Sequence, residues 1–347
     1  MVGNKNECKL IDANKRIGIN KSDSRGIIFV YSPPKVGSTS IVSCMRLFAS
    51  NKFKVIHLHD EHMLKTLTKI SDVSINDIIQ YNSSVGKKVY VVDVYRSPIE
   101  RKMSLFFEHI SSLHFNTTEE EIRKYDLNKI ATRFNKIFAH IALEDLFLEK
   151  YDIQKDAIPQ EFDVNKKYLL IEQNGIKYVK LRLKDTSSWG TILSDIFETK
   201  IQMLKENDAS SKTIGVVYNN FKTNYKIPSN LLQIVKECPH LKYYYSEEER
   251  NEYLSDWSNR QTNEMQVFSQ TEYNVYNEIS VDNSWRQTIE FDHYIDNGCI
   301  CEGCNKKRAK LVNKVVSSKT SPPVVADADR IVHQLLRKTK MTMPIEK

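Results

Sequence analysis

A short segment between an apolar run and a helical pattern carries a lysine, a glycine and three consecutive hydroxyl residues. Gly37 would let the backbone approach a ligand closely, and Lys35 would add a mobile positive charge beside the expected helix N-terminus. The hydroxyl residues are Ser38, Thr39 and Ser40. These groups predict a site for a nucleotide phosphate, although a plain strand-to-helix turn would use the same residue types. A Walker A loop is excluded, because its lysine follows the second glycine.

A second segment with chemical potential follows the third apolar run. Ser97 and Glu100 have the spacing of a capping box, which defines the start of a helix. Arg96 then lies at the carboxyl end of the preceding strand, and Arg101 and Ser104 share one helix face. Ligands of parallel sheets bind at the carboxyl edge, so Arg96 and Ser104 could hold a second phosphate. The alternative is an ordinary helix start with surface arginines.

The elements around these segments alternate between strands and helices. Apolar, β-branched runs predict strands at 27–31, 54–58 and 89–95, and the spacing of apolar residues predicts helices at 39–50, 60–82 and 98–114. Further along, the patterns predict a helix at 126–150 and strands at 167–172 and 178–183. This alternation predicts an α/β protein with a three-layer, doubly wound parallel sheet.

Together, the two segments resemble the motifs of sulfotransferases that use 3′-phosphoadenosine 5′-phosphosulfate (PAPS). The family pattern P-K-x-G-[ST]-[ST] is matched by Pro34, Lys35, Gly37, Ser38 and Thr39. The family pattern R-x-P-x-x-R-x-x-S is matched by Arg96, Pro98, Arg101 and Ser104. The resemblance implies a P-loop-like fold in which the first segment, with Ser40, holds the 5′-phosphosulfate and the second holds the 3′-phosphate.

The resemblance is firm over residues 26–115 and weaker as far as about residue 257. Its weaker part is similar to a branch of the family associated with capsular polysaccharide synthesis. It therefore implies a carbohydrate or related hydroxyl acceptor, PAPS as co-substrate and 3′-phosphoadenosine 5′-phosphate as product. No metal ion is needed for sulfuryl transfer itself.

Sulfuryl transfer needs charge stabilisation at the bridging oxygen, which Lys35 would supply, and a base for the acceptor hydroxyl. The candidate bases follow the second strand, and alternation along the strand places His57 and His59 on the same side. We predict His59, which is nearer the loop. His57, Asp60 and Glu61 are the alternatives.

A cysteine cluster lies in the C-terminal quarter of the sequence. Cys299, Cys301 and Cys304 could bind a structural zinc ion, with His293 or the distant pair Cys238 and His240 completing the ligand set. Free thiols or a redox pair are the alternative, because a second C-x2-C is missing.

Composition and charge limit the class of protein. The 347 residues are 40% hydrophobic, which excludes wholesale disorder. The net charge of +7 favours anionic partners, but no basic block indicates nucleic acid, and we do not expect it as a partner. We expect no membrane span and no signal peptide, and the few cysteines favour the cytoplasm. The oligomeric state is left open.

The domain organisation that we predict has three parts. Residues 1–25 form a polar extension, 26–258 the sulfotransferase-like domain, and 259–347 a mostly helical extension with the cysteine cluster, a linker and a last helix.

Two functions other than sulfuryl transfer stay open. A nucleotide kinase is disfavoured because the lysine is misplaced and no clear Mg²⁺-binding aspartate follows a strand, although Asp93 lies within one. The second alternative function is that of a non-catalytic nucleotide- or glycan-binding protein.

Overall fold

The computed structural model describes residues 2–204 and 214–286. Two compact units divide this part of the chain. The first comprises 2–105, 143–204 and 232–262, and the second comprises Phe106–Ala142, 214–231 and 263–286. The first unit holds the main sheet and both predicted phosphate-binding segments.

The main sheet has five strands. They are β1 Gly26–Tyr31, β2 Phe53–Leu58, β3 Val89–Tyr95, β4 Tyr168–Gln173 and β5 Ile176–Arg182. Their order is β2-β1-β3-β5-β4, and the first four of these run parallel to one another. The bounds of β1, β2 and β3 agree with the prediction to within one residue, and the α/β class is confirmed.

The expectation of a wholly parallel sheet is wrong at one edge. β4 runs antiparallel to β5, with Gln173 opposite Ile176. Only Asn174 and Gly175 connect the two strands, and both have positive φ, as a tight hairpin turn requires. A parallel crossover needs a dozen residues or more, so this short connection imposes antiparallel pairing. The sheet is mixed and mostly parallel.

Helices connect the strands of the main sheet and continue the chain beyond it. They are α1 Val2–Arg16, α2 Ser38–Phe48, α3 Glu61–Thr68, α4 Ile75–Ser84, α5 Pro98–Glu108, α6 Glu119–Ile122, α7 Leu127–Ile137, α8 Leu146–Glu149, α9 Trp189–Phe197, α10 Gly215–Asn224, α11 Ser229–Lys236, α12 Pro239–Tyr244, α13 Glu247–Ser258 and α14 Gln270–Arg286. Two further short strands are β6 Ile227–Pro228 and β7 Gln261–Thr262.

The core of the first unit lies between the sheet and two helices. Apolar residues of β1, β2, β3 and β5 pack against α2 and α9, with Met45 and Leu193 fully buried. Every residue of β3 is buried, which identifies it as a central strand. The strand ends that carry the candidate site are therefore anchored in a packed interior.

Two helical expectations need correction. The helix expected over 126–150 is broken into α7, a 3₁₀ turn at Phe138–His140, and α8. The second break has a local cause, because the Asp145 side chain accepts a 3.0 Å hydrogen bond from the Leu148 amide and starts a new helix. The helix expected over 98–114 ends at Glu108 and is followed by a π-helical turn, Ile110–His114.

The N-terminal extension contains a helix that the sequence patterns did not predict. α1 packs against α3 and α4, and its Ala13 is fully buried. Asn82 donates a buried 2.8 Å hydrogen bond to the Asn14 side chain. The contact pairs two buried polar side chains, as buried polar groups require.

The second unit has an aromatic core of its own. Phe134 makes edge contacts with Phe106 and Phe138. His114 stacks on Phe106 at 4.5 Å, and its Nδ1 lies 2.8 Å from the Tyr276 hydroxyl. Burial holds the pKa of His114 well below its usual value. This histidine is thus a neutral member of the interior at physiological pH.

Candidate functional site

The loop between β1 and α2 has left-handed backbone at two positions. Lys35 has φ of 65° and Gly37 has φ of 90°, on either side of the buried Val36. A larger residue at position 37 would strain this backbone, and its Cβ would lie only 2.8 Å from Leu183 Cδ1. Successive residues of alternating handedness turn their N–H groups toward one side, which makes a concave anion site. Gly37 thus occupies a left-handed position that favours glycine.

The N-terminus of α2 continues this cradle. Ser38 is its first residue, and Gly37 at the cap position has no side chain to bond the first amides. These amides and the helix dipole favour a bound anion. Ser38 is buried and Pro34 is exposed, whereas the other three candidate side chains are half-buried. These three are Lys35, Thr39 and Ser40.

The second predicted segment meets the first at the carboxyl edge of the sheet. β1 and β3 are parallel neighbours, so the loops that follow them leave at the same edge. Arg96 Nη1 donates a 2.8 Å hydrogen bond to the Lys35 carbonyl oxygen. The Ser97 hydroxyl donates to the Glu100 carboxylate at 2.6 Å, at the start of α5. A guanidinium thus lies directly beside the loop.

Arg101 and Ser104 have different surroundings from each other. Arg101 is 5% exposed and donates a 2.7 Å hydrogen bond to the Glu144 carbonyl oxygen. Burial lowers the pKa of its guanidinium. Ser104 is half-buried, one helical turn further along. Of the two arginines, Arg96 is the one that the structure shows in contact with the loop.

The two histidines lie side by side, as strand alternation predicts. Their ring centroids are 4.5 Å apart. His57 Nε2 lies 3.2 Å from the Ser38 hydroxyl, at the start of α2. Burial, with smaller effects of the charges on His59 and Arg46, lowers the pKa of His57 to about 4. His57 is therefore uncharged at neutral pH.

His59 is held by a carbonyl of the loop. Its Nδ1 lies 2.8 Å from the Ser32 carbonyl oxygen. A carbonyl only accepts hydrogen bonds, so Nδ1 carries the proton and the neutral ring has its lone pair on Nε2. A histidine held in this tautomer can accept a proton at Nε2.

The two carboxylates that follow are engaged by helix starts. Asp60 accepts a 2.6 Å hydrogen bond from the Met63 amide and caps α3. Both oxygens of Glu61 lie 3.1 Å from the Ile75 amide at the start of α4. These contacts give Asp60 and Glu61 roles in local structure and leave His59 as the best-oriented candidate base.

A buried ionic cluster behind the strand ends was not predicted from the sequence. Lys180 Nζ lies 2.6 Å from Asp93 and 2.8 Å from Asp145, and the Tyr244 hydroxyl donates to Asp145 at 3.0 Å. Burial raises the pKa of Asp93 to about 6. Asp93, the candidate Mg²⁺ ligand of the kinase alternative, is committed to Lys180. The available signal was Asp93, the one charged residue in the otherwise apolar strand β3.

A second unpredicted cluster lies at the end of β5. The Arg182 guanidinium contacts Asp185 at 2.6 Å and both oxygens of Glu249, at 2.6 and 3.1 Å. Lys184 also bonds Glu249, at 2.7 Å. The segment after β5, which packs against Gly37 through Leu183, is thereby tied to α13.

The remaining site predictions concern zinc. Cys299, Cys301, Cys304 and His293 lie outside the described residues, and the zinc site stays a prediction. Within residues 2–204 and 214–286, no group of three or more potential metal ligands occurs. In the same part of the chain, no helix has the length and apolar character to cross a membrane.

Comparison of the chain with protein-family models, with curated proteins and with solved structures gives no significant match. The functional argument therefore depends on the residues of the site and their geometry.

Proposed function

We propose that this chain is a cytoplasmic, PAPS-dependent sulfotransferase with a P-loop-like fold. In this proposal it transfers a sulfuryl group to a hydroxyl of a carbohydrate or related acceptor. The contact between Arg96 and the Lys35 carbonyl carries the proposal, because it joins the two segments that would hold opposite ends of one nucleotide. Either segment alone fits an ordinary helix start.

The donor would occupy the carboxyl edge of the sheet. Its 5′-phosphosulfate would meet the amides of α2, the left-handed loop and the ammonium group of Lys35. Its 3′-phosphate would meet Arg96 and Ser104, with Arg101 supporting the same helix from the interior. Paired cationic and amide donors of this kind suit phosphate oxygens.

The proposed reaction is an in-line displacement. The acceptor oxygen forms a bond to sulfur while the bond between sulfur and the bridging phosphate oxygen breaks. Lys35 offsets the negative charge that develops on the leaving oxygen. The acceptor proton moves to Nε2 of His59, whose Nδ1 proton is held by Ser32. The products are a sulfate ester and 3′-phosphoadenosine 5′-phosphate.

Calorimetric titration tests the nucleotide assignment directly. We expect 3′-phosphoadenosine 5′-phosphate to bind more tightly than ATP with Mg²⁺ in a parallel titration. Preference for ATP would replace the proposal with a kinase. Tight binding of the bisphosphate without sulfate transfer to any hydroxyl acceptor would indicate a non-catalytic binding protein.

A further inference from the structure

An open groove runs along the edge of the main sheet, on the side of β2. The groove has a volume of about 690 Å³. It is lined by residues 53–57 of β2 and by residues of α1, α2 and α3. His57 lines its end and is the residue that contacts Ser38 of the candidate site. His57 thus borders both the groove and the candidate site.

The groove is strongly cationic. Four basic side chains line it, and its lining contains no carboxylate. The four are Arg16, Arg25, Arg46 and Lys54.

Two of these charges are neutralised by neighbours and two are not. Arg16 pairs with Asp12 at 2.9 Å, and Arg25 pairs with Asp23 at 2.6 Å. Arg46 and Lys54 have no carboxylate partner in the part of the chain that the structure describes. An excess of positive charge in a concave site attracts anionic ligands.

The groove also offers uncharged hydrogen-bonding groups. β2 is the outer strand of the sheet, and among the described residues it pairs with β1 alone. An outer strand leaves backbone N–H and C=O groups unpaired along one edge. Ser50 lies in the same lining. A ligand that carries both hydroxyl and acidic groups fits this combination.

We propose that the groove binds an anionic oligosaccharide, such as a chain that contains uronic acid, and that this glycan is the sulfuryl acceptor. The identification of the glycan as acceptor rests on the proposed function. Its acidic groups would meet Arg46 and Lys54, and its hydroxyl groups would meet the β2 edge and Ser50. The hydroxyl to be sulfated would lie at the His57 end of the groove.

Two other classes of anionic polymer fit the groove less well. A peptide strand would add to the edge of β2, but a lysine within an edge strand opposes such pairing. Lys54 extends over Gly18, where a Cβ would lie 3.1 Å from Lys54 Nζ. Single-stranded nucleic acid is held by stacking on exposed aromatic rings, whereas the aromatic residue of this lining, Phe53, is 4% exposed.

Binding of a labelled probe to the full chain tests this inference. The probe is a hexasaccharide of alternating uronic acid and N-acetylhexosamine, followed by fluorescence anisotropy. Matched ligands are a neutral glucose hexasaccharide, an acidic peptide of equal charge and a single-stranded oligonucleotide. We expect the acidic hexasaccharide to bind most tightly, with an affinity that falls as salt is added. Tighter binding of the peptide or the oligonucleotide would overturn the assignment to a glycan.

Substitutions of the groove lining test whether the hexasaccharide binds there. Arg46→Gln with Lys54→Gln should weaken binding of the acidic hexasaccharide by roughly tenfold or more, because two charge-assisted contacts are lost. A double variant of equal charge change on exposed helix and turn positions, Arg123→Gln with Lys236→Gln, should bind as the parent does. Arg46→Gln alone changes an exposed side chain of α2 and keeps the test valid if the double variant is unstable.

The outcome separates this inference from the proposed function. Binding of 3′-phosphoadenosine 5′-phosphate without binding of the acidic hexasaccharide would reject the groove and retain the sulfotransferase. Binding of the hexasaccharide that depends on Arg46 and Lys54, without nucleotide binding, would retain the groove as a glycan site and reject its role as an acceptor site. If the Arg123 and Lys236 control variant lost as much affinity for the hexasaccharide as the Arg46 and Lys54 variant, the groove would also be rejected as the binding site.

Discussion

Arg96, at the end of β3, donates a 2.8 Å hydrogen bond to the main-chain carbonyl of Lys35, which has left-handed backbone. The bond links a side chain of one strand end to the backbone of the loop after the neighbouring strand. The shape of the anion cradle and the position of the guanidinium are therefore coupled. A ligand that moves the Arg96 guanidinium must therefore also affect the backbone of the loop at Lys35.

Replacement of Arg96 tests its contact with the 3′-phosphate. Arg96→Ala should weaken binding of 3′-phosphoadenosine 5′-phosphate by about ten- to more than a hundredfold, since a charge-assisted hydrogen bond contributes roughly 1.5–3 kcal/mol. Adenosine 5′-phosphosulfate, which lacks that phosphate, should lose much less affinity. Calorimetry of both ligands checks the difference, with Arg123→Ala as an exposed control. Equal losses would remove Arg96 from this role.

Replacement of His59 tests the base. His59→Ala should lower turnover by roughly 10²–10⁴-fold and leave nucleotide affinity nearly unchanged, because general-base catalysis acts in the transition state. Steady-state rates and bisphosphate affinity are measured on the same preparation. Lys35→Ala, in contrast, should impair both quantities. Normal turnover of the His59 variant would move the role to His57, Asp60 or Glu61.

The pKa of His57 predicts a specific acid sensitivity. Its folded-state pKa of about 4 lies below the usual 6.5, so below pH 6.5 the unfolded chain binds a proton that the folded chain does not. The free energy of unfolding should therefore fall between pH 6.5 and pH 4, and less so in His57→Gln. Urea unfolding of both proteins at pH 7.0, 5.5 and 4.5 measures this. Parallel losses in the two proteins would show that His57 titrates normally.

The buried cluster predicts a large cost for Lys180→Met. Removal of the ammonium leaves Asp93 and Asp145 buried without their cation, which should cost about 3–5 kcal/mol of unfolding free energy. Lys177→Met on the same strand is the matched control, because the partly exposed Lys177 lies 3.8 Å from Glu172 and should contribute less than about 0.5 kcal/mol. Chemical denaturation measures both. A partial recovery is expected when Asp93→Asn is added to Lys180→Met.

Local patterns in the sequence were sufficient for the strands and loops that form the candidate site. β1 and β3 are short apolar runs with clear ends. Because they are parallel neighbours, the loops after them leave at the same edge of the sheet, and Lys35 and Arg96 lie close together there. The tautomer of His59 could not be predicted, because the carbonyl that holds it belongs to Ser32, far away along the chain.

Charges inside the fold were the main feature that the sequence did not reveal. A charged residue such as Arg101 is expected on the surface of a helix. In the structure its side chain is buried and donates a hydrogen bond to the main-chain carbonyl of Glu144. The sequence does not predict the groove along β2 for a related reason. Its cations come from separate segments, and no contiguous basic run marks them. Such sites depend on long-range packing, which periodicity and spacing do not encode.

The order of the sheet has a consequence for synthesis on the ribosome. β3 lies in the middle and is buried along its whole length, but its partner β5 ends only at Arg182. At ordinary elongation rates the nascent chain carries β3 with one edge unpaired for on the order of ten seconds. During this interval the backbone N–H and C=O groups along that edge of β3 lack their sheet partners. The β4–β5 hairpin, which forms from local contacts, can then close the sheet as one preassembled piece.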